Sequence, residues 1–401
     1  MFEVLRKTRL CVISQMELTI EKNRVKMLGK GIFESYRLSN FLEKVVFIAF
    51  PDKKMHKRFI YNNGKFIIYC LPTTKPKIRP GFKGILSTLL DIVREYILTF
   101  FHIKKLIEQE KINLIKVENI LLLGFPAFLI SKYKKIPYIL WIAGPELKVL
   151  EIKMAWLQYL SKIVSIIFNI LAYVVVRGAS VVINISPESS HLILSKKPRI
   201  YVFLKANYVD TNMFYPRPCR LRKEKYVILF VGRLEKEKGI ELLIEAIEKI
   251  NKRRNDFEVW IIGYGSMYDY IRENIEKKNL PIKLLGRKDI RELSNYYNCA
   301  DIFIFPSLVE GPSAALLEAM ACGVPVITTT GPVKNFENGI LVEKNSDAIA
   351  RAIIRLLDDE KLRKRLAINA VNFTRKLSER YLRIMYKLYT VAVKQMIHSH
   401  R

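Results

Sequence analysis

Two segments in the second half of this 401-residue chain set charged side chains where strands hand over to helices. The first is GRLEKEKG, Gly232 to Gly239, which follows the apolar run YVILFV. In an open α/β sheet, ligands bind at the carboxyl ends of the strands. Gly232 lets the chain turn tightly, and Arg233 and Lys238 can both reach back over the strand end. Two cations ahead of a helix N-terminus make a cradle for a pyrophosphate. The plainer alternative is an exposed charged turn, because Glu235 and Glu237 alternate with the cations.

The second segment, FPSLVEGPSAALLEAMACGVPVI, runs from Phe305 to Ile327. A strand is expected to end at Phe305, with Glu310 in the loop and Gly311-Pro312 opening a helix, where proline suits the first turn. This sets Glu310 near the free N–H groups of Ser313 and Ala314. Glu318 follows eight residues later, in the apolar stretch ALLEAMA, on a face where it could accept from ribose hydroxyls. A carboxylate in such surroundings requires a partner. A carboxylate paired inside the core is the alternative.

These segments sit in an alternation of short β-branched runs and helical patterns, the signature of parallel α/β sheets. In the first half, strands are expected at Leu10–Ser14, Val45–Phe50, Phe66–Cys70, Leu114–Val117, Tyr138–Ile142 and Val181–Ile185. Helices are expected at Leu86–Gln109 and Met154–Arg177. The second half reads as strands at 226–232, 257–263, 282–285, 300–305 and 324–328. Helices follow at Ile240–Ile250, Met267–Lys277, after the capping box Asp289–Glu292, and from about Pro312. Thr211–Lys225, with two prolines and no periodicity, reads as a linker. Three parts follow: 1–215, 216–377, and a last helix from about Ser378, expected to pack back on the first part.

Composition narrows the classes. Half the residues are apolar, which suffices for two buried cores and excludes general disorder. The net charge is +30, and residues 1–220 hold 36 Lys and Arg against 15 Asp and Glu, or +21. A field of that size attracts polyanions. The cations come as scattered pairs with no nucleic-acid-binding pattern, so nucleic acid is not expected. Ile163–Val176 has 14 uncharged residues, too few to span a bilayer. It reads as a core helix, with an interfacial helix as the sharper alternative. Five scattered cysteines without a C-x-x-C pair speak against a disulfide framework or zinc site, and suit a reducing cytoplasm.

The ordered set GRLEKEKG, Gly263-Tyr264-Gly265, Leu284–Gly286, Glu310 and Glu318 eight apart, then AMACGVPVI, resembles family 4 of the glycosyltransferases. The resemblance covers 226–345 and extends weakly through NYVDTNMFYP. It implies the GT-B architecture, two Rossmann-like domains facing across a cleft, and a retaining transfer from a nucleoside-diphosphate sugar of UDP or GDP type. Arg233 and Lys238 would then hold the diphosphate, Glu310 the transferring sugar, Glu318 the ribose diol and the main chain around Arg287 the base. Gly232, Gly263, Gly265, Gly311, Ser313 and Ala314 would shape the donor site, and Gly31 and Gly144 the acceptor side. This chain departs from the family pattern at Tyr208, at Pro312-Ser313 and at Ala143, where a histidine is usual.

With no D-x-D motif, Arg233 and Lys238 are expected to neutralise the leaving diphosphate without a metal or cofactor. A unit pair at 4 Å contributes about 4 kcal/mol at an effective dielectric of 20. No side chain of the first half stands out as a general base. The expected acceptor is a glycan or lipid-linked hydroxyl, with the basic first half resting on the cytoplasmic face of an anionic membrane. A sugar-nucleotide-binding protein without turnover is the alternative.

Overall fold

The computed structural model describes all residues except 1–4, 15–18, 22–23, 27–34, 36–37, 50–56, 72–81, 121–122, 143–159, 186, 205–208, 222, 309–312 and 399–401. The chain divides into two compact units, Met1–Leu204 with Ile384–Arg401, and Lys205–Arg383. The division falls ahead of the Thr211–Lys225 linker, because Val209 and Phe214 are buried in a core of the second unit.

The first unit carries β1 (Arg9–Ser14), a small hairpin of β2 (Thr19–Glu21) and β3 (Arg24–Lys26), then β4 (Lys44–Ala49), β5 (Lys57–Tyr61) and β6 (Phe66–Cys70). Helix α1 (Phe82–Gln109), β7 (Leu114–Glu118), α2 (Gly124–Lys134), β8 (Tyr138–Ile142), α3 (Leu160–Gly178), β9 (Val181–Asn184), α4 (Pro187–Ser195) and β10 (Tyr201–Phe203) follow. Eight strands form one sheet in the order β10-β9-β8-β7-β1-β4-β6-β5. Only the edge strand β5 runs antiparallel to its neighbour. Alternate residues such as Ile13, Ile48, Val117 and Leu140 pack with Ile103 of α1, Ala127 of α2 and Val175 of α3. Those three helices therefore cover one face.

The second unit carries β11 (Tyr226–Val231), α5 (Ile240–Asn251), β12 (Phe257–Ile262), α6 (Tyr268–Lys278), β13 (Ile282–Leu284), α7 (Ile290–Cys299) and β14 (Ile302–Phe305). Then come α8 (Ala314–Ala321), β15 (Val326–Thr328), β16 (Ile340–Leu341), α9 (Ser346–Asp358) and α10 (Glu360–His398). Six parallel strands lie in the order β13-β12-β11-β14-β15-β16. Ile228 and Phe230 of β11 enter one core and Val227 and Leu229 the other, so the strand is apolar throughout. The capping box at the start of α7 forms as expected, Asp289 accepting from Arg291 N–H and Glu292 accepting from Asp289 N–H.

Two expectations need correction. The last helix does not begin at Ser378: α10 runs unbroken for 39 residues. No Gly or Pro interrupts 360–398, and the Thr374 and Ser378 hydroxyls bond carbonyls of Ala370 and Val209 instead of capping a new helix. The described part of α3 begins at Leu160, and an onset at Met154 lies outside the described residues.

The second correction concerns the cysteines. Cys219 and Cys299 form a disulfide across 80 residues of sequence, with Cα atoms 4.6 Å apart. The linker is laid along α7: Arg217 N–H donates to Asn298 Oδ1 at 2.6 Å, and its guanidinium donates to Met213 O and Ser294 Oγ. That alignment brings Cys219 to the end of α7, which spacing in the sequence does not reveal.

Candidate active site

In the second unit the chain steps from β11 through β12 to β13, then returns to β14 and continues to β16. β11 and β14 are neighbours whose outgoing loops diverge, and such a reversal is where open α/β sheets bind ligands. The loop after β11 is Gly232–Gly239. The loop after β14 begins at Pro306 and leads to Glu310.

Main-chain bonds knit these loops together. Leu308 N–H and the Ser307 hydroxyl donate to the carbonyl of Glu237, at 2.8 Å and 3.2 Å. Gly239, at φ +70°, lets them touch: a Cβ there would lie 1.9 Å from the Pro306 oxygen. The loop after β12 joins on the other side. Gly263, at φ +155°, would drive a Cβ to within 1.8 Å of the Gly232 oxygen, and Gly265 to within 2.4 Å of the Leu234 oxygen. Leu234 N–H donates to the Tyr264 carbonyl at 3.1 Å, and Gly263 N–H to Gly286 at 3.0 Å. Gly263 and Gly265 thus serve close backbone approach, whereas a Cβ at Gly232 would meet only the Phe230 ring, at 3.3 Å.

The two cations differ in setting. Lys238 is only 6% exposed, with its ammonium 5.9 Å from the centre of the Phe305 ring. Arg233 is 66% exposed and pairs with Glu237 at 3.0 Å. Glu235 has its own partner: the Ser266 hydroxyl and N–H donate to it, at 2.6 Å and 3.3 Å, and with the nearby Arg233 charge hold it below the usual carboxylate range. The glutamates that suggested a merely charged turn therefore have separate partners within this loop cluster.

Helix α5 opens directly after Gly239, and α8 opens at Ala314 with Ser313 as its N-cap. Both helices leave the strands that flank the reversal, so their first N–H groups lie at the same sheet edge. Arg287 is exposed after Gly286, itself at φ +65°. Glu310 and Gly311 lie outside the described residues, as do Gly31 and Gly144.

Glu318 is 4% exposed, and the hydroxyl of fully buried Tyr297 donates to its Oε2 at 3.0 Å. Burial and the adjacent carboxylate push the Tyr297 phenol well above its ordinary range. The carboxylate partner that the sequence demanded is thus a phenol on α7, which periodicity alone did not mark. Ser266, Ser307 and Leu308 were missed too, since main-chain bonding between loops leaves no pattern in residue type.

Paired loops lie at the reversal of a parallel sheet, ahead of two helix N-termini, where open α/β sheets commonly bind ligands. Solved structures share the fold across nearly the whole chain. A sucrose-phosphate synthase from Thermosynechococcus elongatus superposes with a TM-score of 0.69 at 18% identity, covering 96% of this chain and 100% of that one. A glycosyltransferase from Rickettsia africae gives 0.62 at 16%, covering 96% and 99%. The fold is the GT-B fold. Within it, residues 214–373 match the family described as Glycosyl transferases group 1.

Curated relatives match over part of the chain. A glycosyltransferase of Methanocaldococcus jannaschii, described as uncharacterized, is 37% identical over 157 residues, which is 37% of this chain and 43% of that protein. The capsular polysaccharide biosynthesis glycosyltransferase CapM of Staphylococcus aureus is 33% identical over 170 residues, 40% and 44%. A GDP-mannose-dependent monoacylated phosphatidylinositol monomannoside mannosyltransferase of Corynebacterium glutamicum is 34% identical over 145 residues, 33% and 38%. The matches span less than half the length of each relative.

Proposed function

We propose that this protein is a retaining glycosyltransferase that moves a sugar from a UDP- or GDP-type donor to a hydroxyl of a glycan or lipid-linked acceptor, without a metal. One observation carries the reading: the cation-bearing loop and the loop leading to Glu310 are bonded to each other at the sheet reversal. The donor diphosphate would lie against Lys238 and Arg233 and the opening N–H groups of α5 and α8. Glu310 would contact the transferring sugar, as the resemblance implies. As the glycosidic bond breaks, charge grows on the diphosphate, and cations already in place stabilise it. Lys238, being buried, does this at lower dielectric than exposed Arg233.

The relatives' printed names support an acceptor in surface-polysaccharide or glycolipid synthesis. Two features of the first unit support a membrane-surface acceptor. Its basic excess suits anionic lipid. Leu90, Val93, Ile97 and Phe101 of α1 and Ile166, Ile170 and Tyr173 of α3 form exposed apolar stripes on helices of one sheet face. Helix α3 puts Ala172, Val175 and Val176 in the core and leaves the stripe outside. Among the described residues, no helix is long and apolar enough to cross a membrane.

Incubation with labelled UDP- and GDP-sugars tests the reading. Expected is donor consumption that persists in EDTA, with product of retained anomeric configuration. Abolition by EDTA, or an inverted product, would overturn the mechanism. Flotation with vesicles of increasing phosphatidylglycerol content tests the membrane part, and binding that ignores lipid charge contradicts it.

A further inference from the structure

The first unit contains the same topological reversal as the second. The chain leaves β1 for β4 and β6, then returns to β7 and continues through β8 and β9 to β10. β1 and β7 are paired neighbours, and their connections diverge beyond the carboxyl ends. The last residues of that pairing are Ser14 and Glu118. The Ser14 hydroxyl donates to Glu118 Oε2 at 2.6 Å.

Behind them sits a buried cation. Lys116 precedes Glu118 by two residues and so shares its strand face. It is 1% exposed, its ammonium lies 3.4 Å from Glu118 Oε1, and it stands 4.5 Å from the centre of the Trp141 ring. Trp141, on β8, is the register partner of Glu118. Neighbouring Ile13, Val117, Leu140 and Ile142 belong to the core beneath α1–α3, so Ser14, Lys116, Glu118 and Trp141 point to the other face.

Packing does not account for this cluster. A buried ion pair is commonly replaceable by apolar side chains without loss of stability. The rest of β7 is Leu114, Ile115 and Val117, as expected for a doubly covered strand. Glu118 is the member of the cluster with an opening, its side chain 19% exposed. A carboxylate has about four lone-pair positions, and Ser14 and Lys116 engage only part of them. It can accept from further donors at that edge, neutral hydroxyls among them, whereas phosphate or carboxylate would be repelled.

We propose that Glu118 accepts hydrogen bonds from ring hydroxyls of the carbohydrate acceptor, with Ser14 and Lys116 as positioning residues. The proposal rests on the glycosyltransferase reading and gives it an acceptor contact in described residues. The acceptor presents an uncharged sugar ring to this point, whatever it carries elsewhere.

Saturation-transfer NMR on the full chain, with methyl glycosides of glucose, galactose, mannose and N-acetylglucosamine as probes, tests the assignment. At least one should bind saturably, and Glu118→Gln should weaken it about tenfold or more. Ser14→Ala should weaken it less, and is the second variant if Glu118→Gln does not fold. Titration with UDP and GDP, whose site lies in the second unit, should be unchanged in both variants. Native chain that binds no probe, or variants that bind within twofold of native, overturn the proposal. So does a Glu118→Gln chain that melts earlier yet binds equally, because that marks a purely structural role. Loss of nucleotide binding in the native chain sinks the glycosyltransferase reading instead.

Discussion

Leu308 and Glu237 are joined by a main-chain hydrogen bond of 2.8 Å, from the N–H of one to the carbonyl of the other. They belong to loops more than sixty residues apart in sequence, one bearing Arg233 and Lys238, the other leading to Glu310. The bond makes the two loops one platform, and the consequences below depend on it.

Lys238→Ala should lower kcat/KM for donor transfer more than tenfold, and more than Arg233→Ala does. Lys238 is buried against Phe305, whereas Arg233 is exposed and shares its charge with Glu237. Steady-state kinetics with saturating acceptor give the comparison. A Lys238→Ala enzyme above a tenth of native activity contradicts it.

Gly239→Ala should separate the two loops. The added methyl would meet the Pro306 carbonyl, and φ +70° already disfavours a side chain. A loss of about 1–3 kcal/mol is expected, from strain in the backbone. Chemical denaturation should report it, with donor affinity falling in the folded fraction. Unchanged stability would mean that the loops are not in contact.

Much of this was legible beforehand, for identifiable reasons. Strands such as Phe66–Cys70 and Tyr138–Ile142 are uniformly apolar and short, which marks a parallel sheet covered on both faces. Edge strand β5 was missed because KRFIY mixes cations with aromatics and pairs antiparallel on one side only. The loop GRLEKEKG announced itself through residue type. The cluster of Ser14, Lys116 and Glu118 did not, because it forms through strand register between residues about a hundred positions apart. The disulfide was hidden in the same way.

Reduction should destabilise the second unit. A crosslink closing 80 residues contributes about 4 kcal/mol on the chain-entropy view. Thermal melts with and without dithiothreitol should differ by several degrees, and Cys219→Ser should melt like the reduced chain. Alkylation of the unreduced, unfolded protein should label three thiols, those of Cys11, Cys70 and Cys322. Five labelled thiols would contradict the pairing.

Glu110 should make the first unit sensitive to acid. Burial opposes its ionisation, but hydrogen bonds from the Tyr69 hydroxyl at 2.6 Å and Lys44 at 2.9 Å outweigh it and lower its pKa. A carboxyl whose folded pKa is depressed gives stability above its unfolded value, ~4.3, and loses it as pH falls toward the folded value. Urea midpoints from pH 7 to pH 3 should decline, with a shallower decline in Glu110→Gln. Tyr69, pushed up to about 12 by burial and by Glu110, gives stability that is present below its unfolded pKa of ~10 and lost as pH rises toward 12. Equal acid slopes in native and variant would contradict the Glu110 assignment.

The most direct test is calorimetric titration of the full chain with UDP, GDP and ADP, repeated on Lys238→Ala. Saturable binding of at least one nucleoside diphosphate, weakened about tenfold or more in the variant, is the predicted result. A native chain that binds none of the three, or a variant that binds as tightly as native, would contradict the assignment of the paired loops as a diphosphate site.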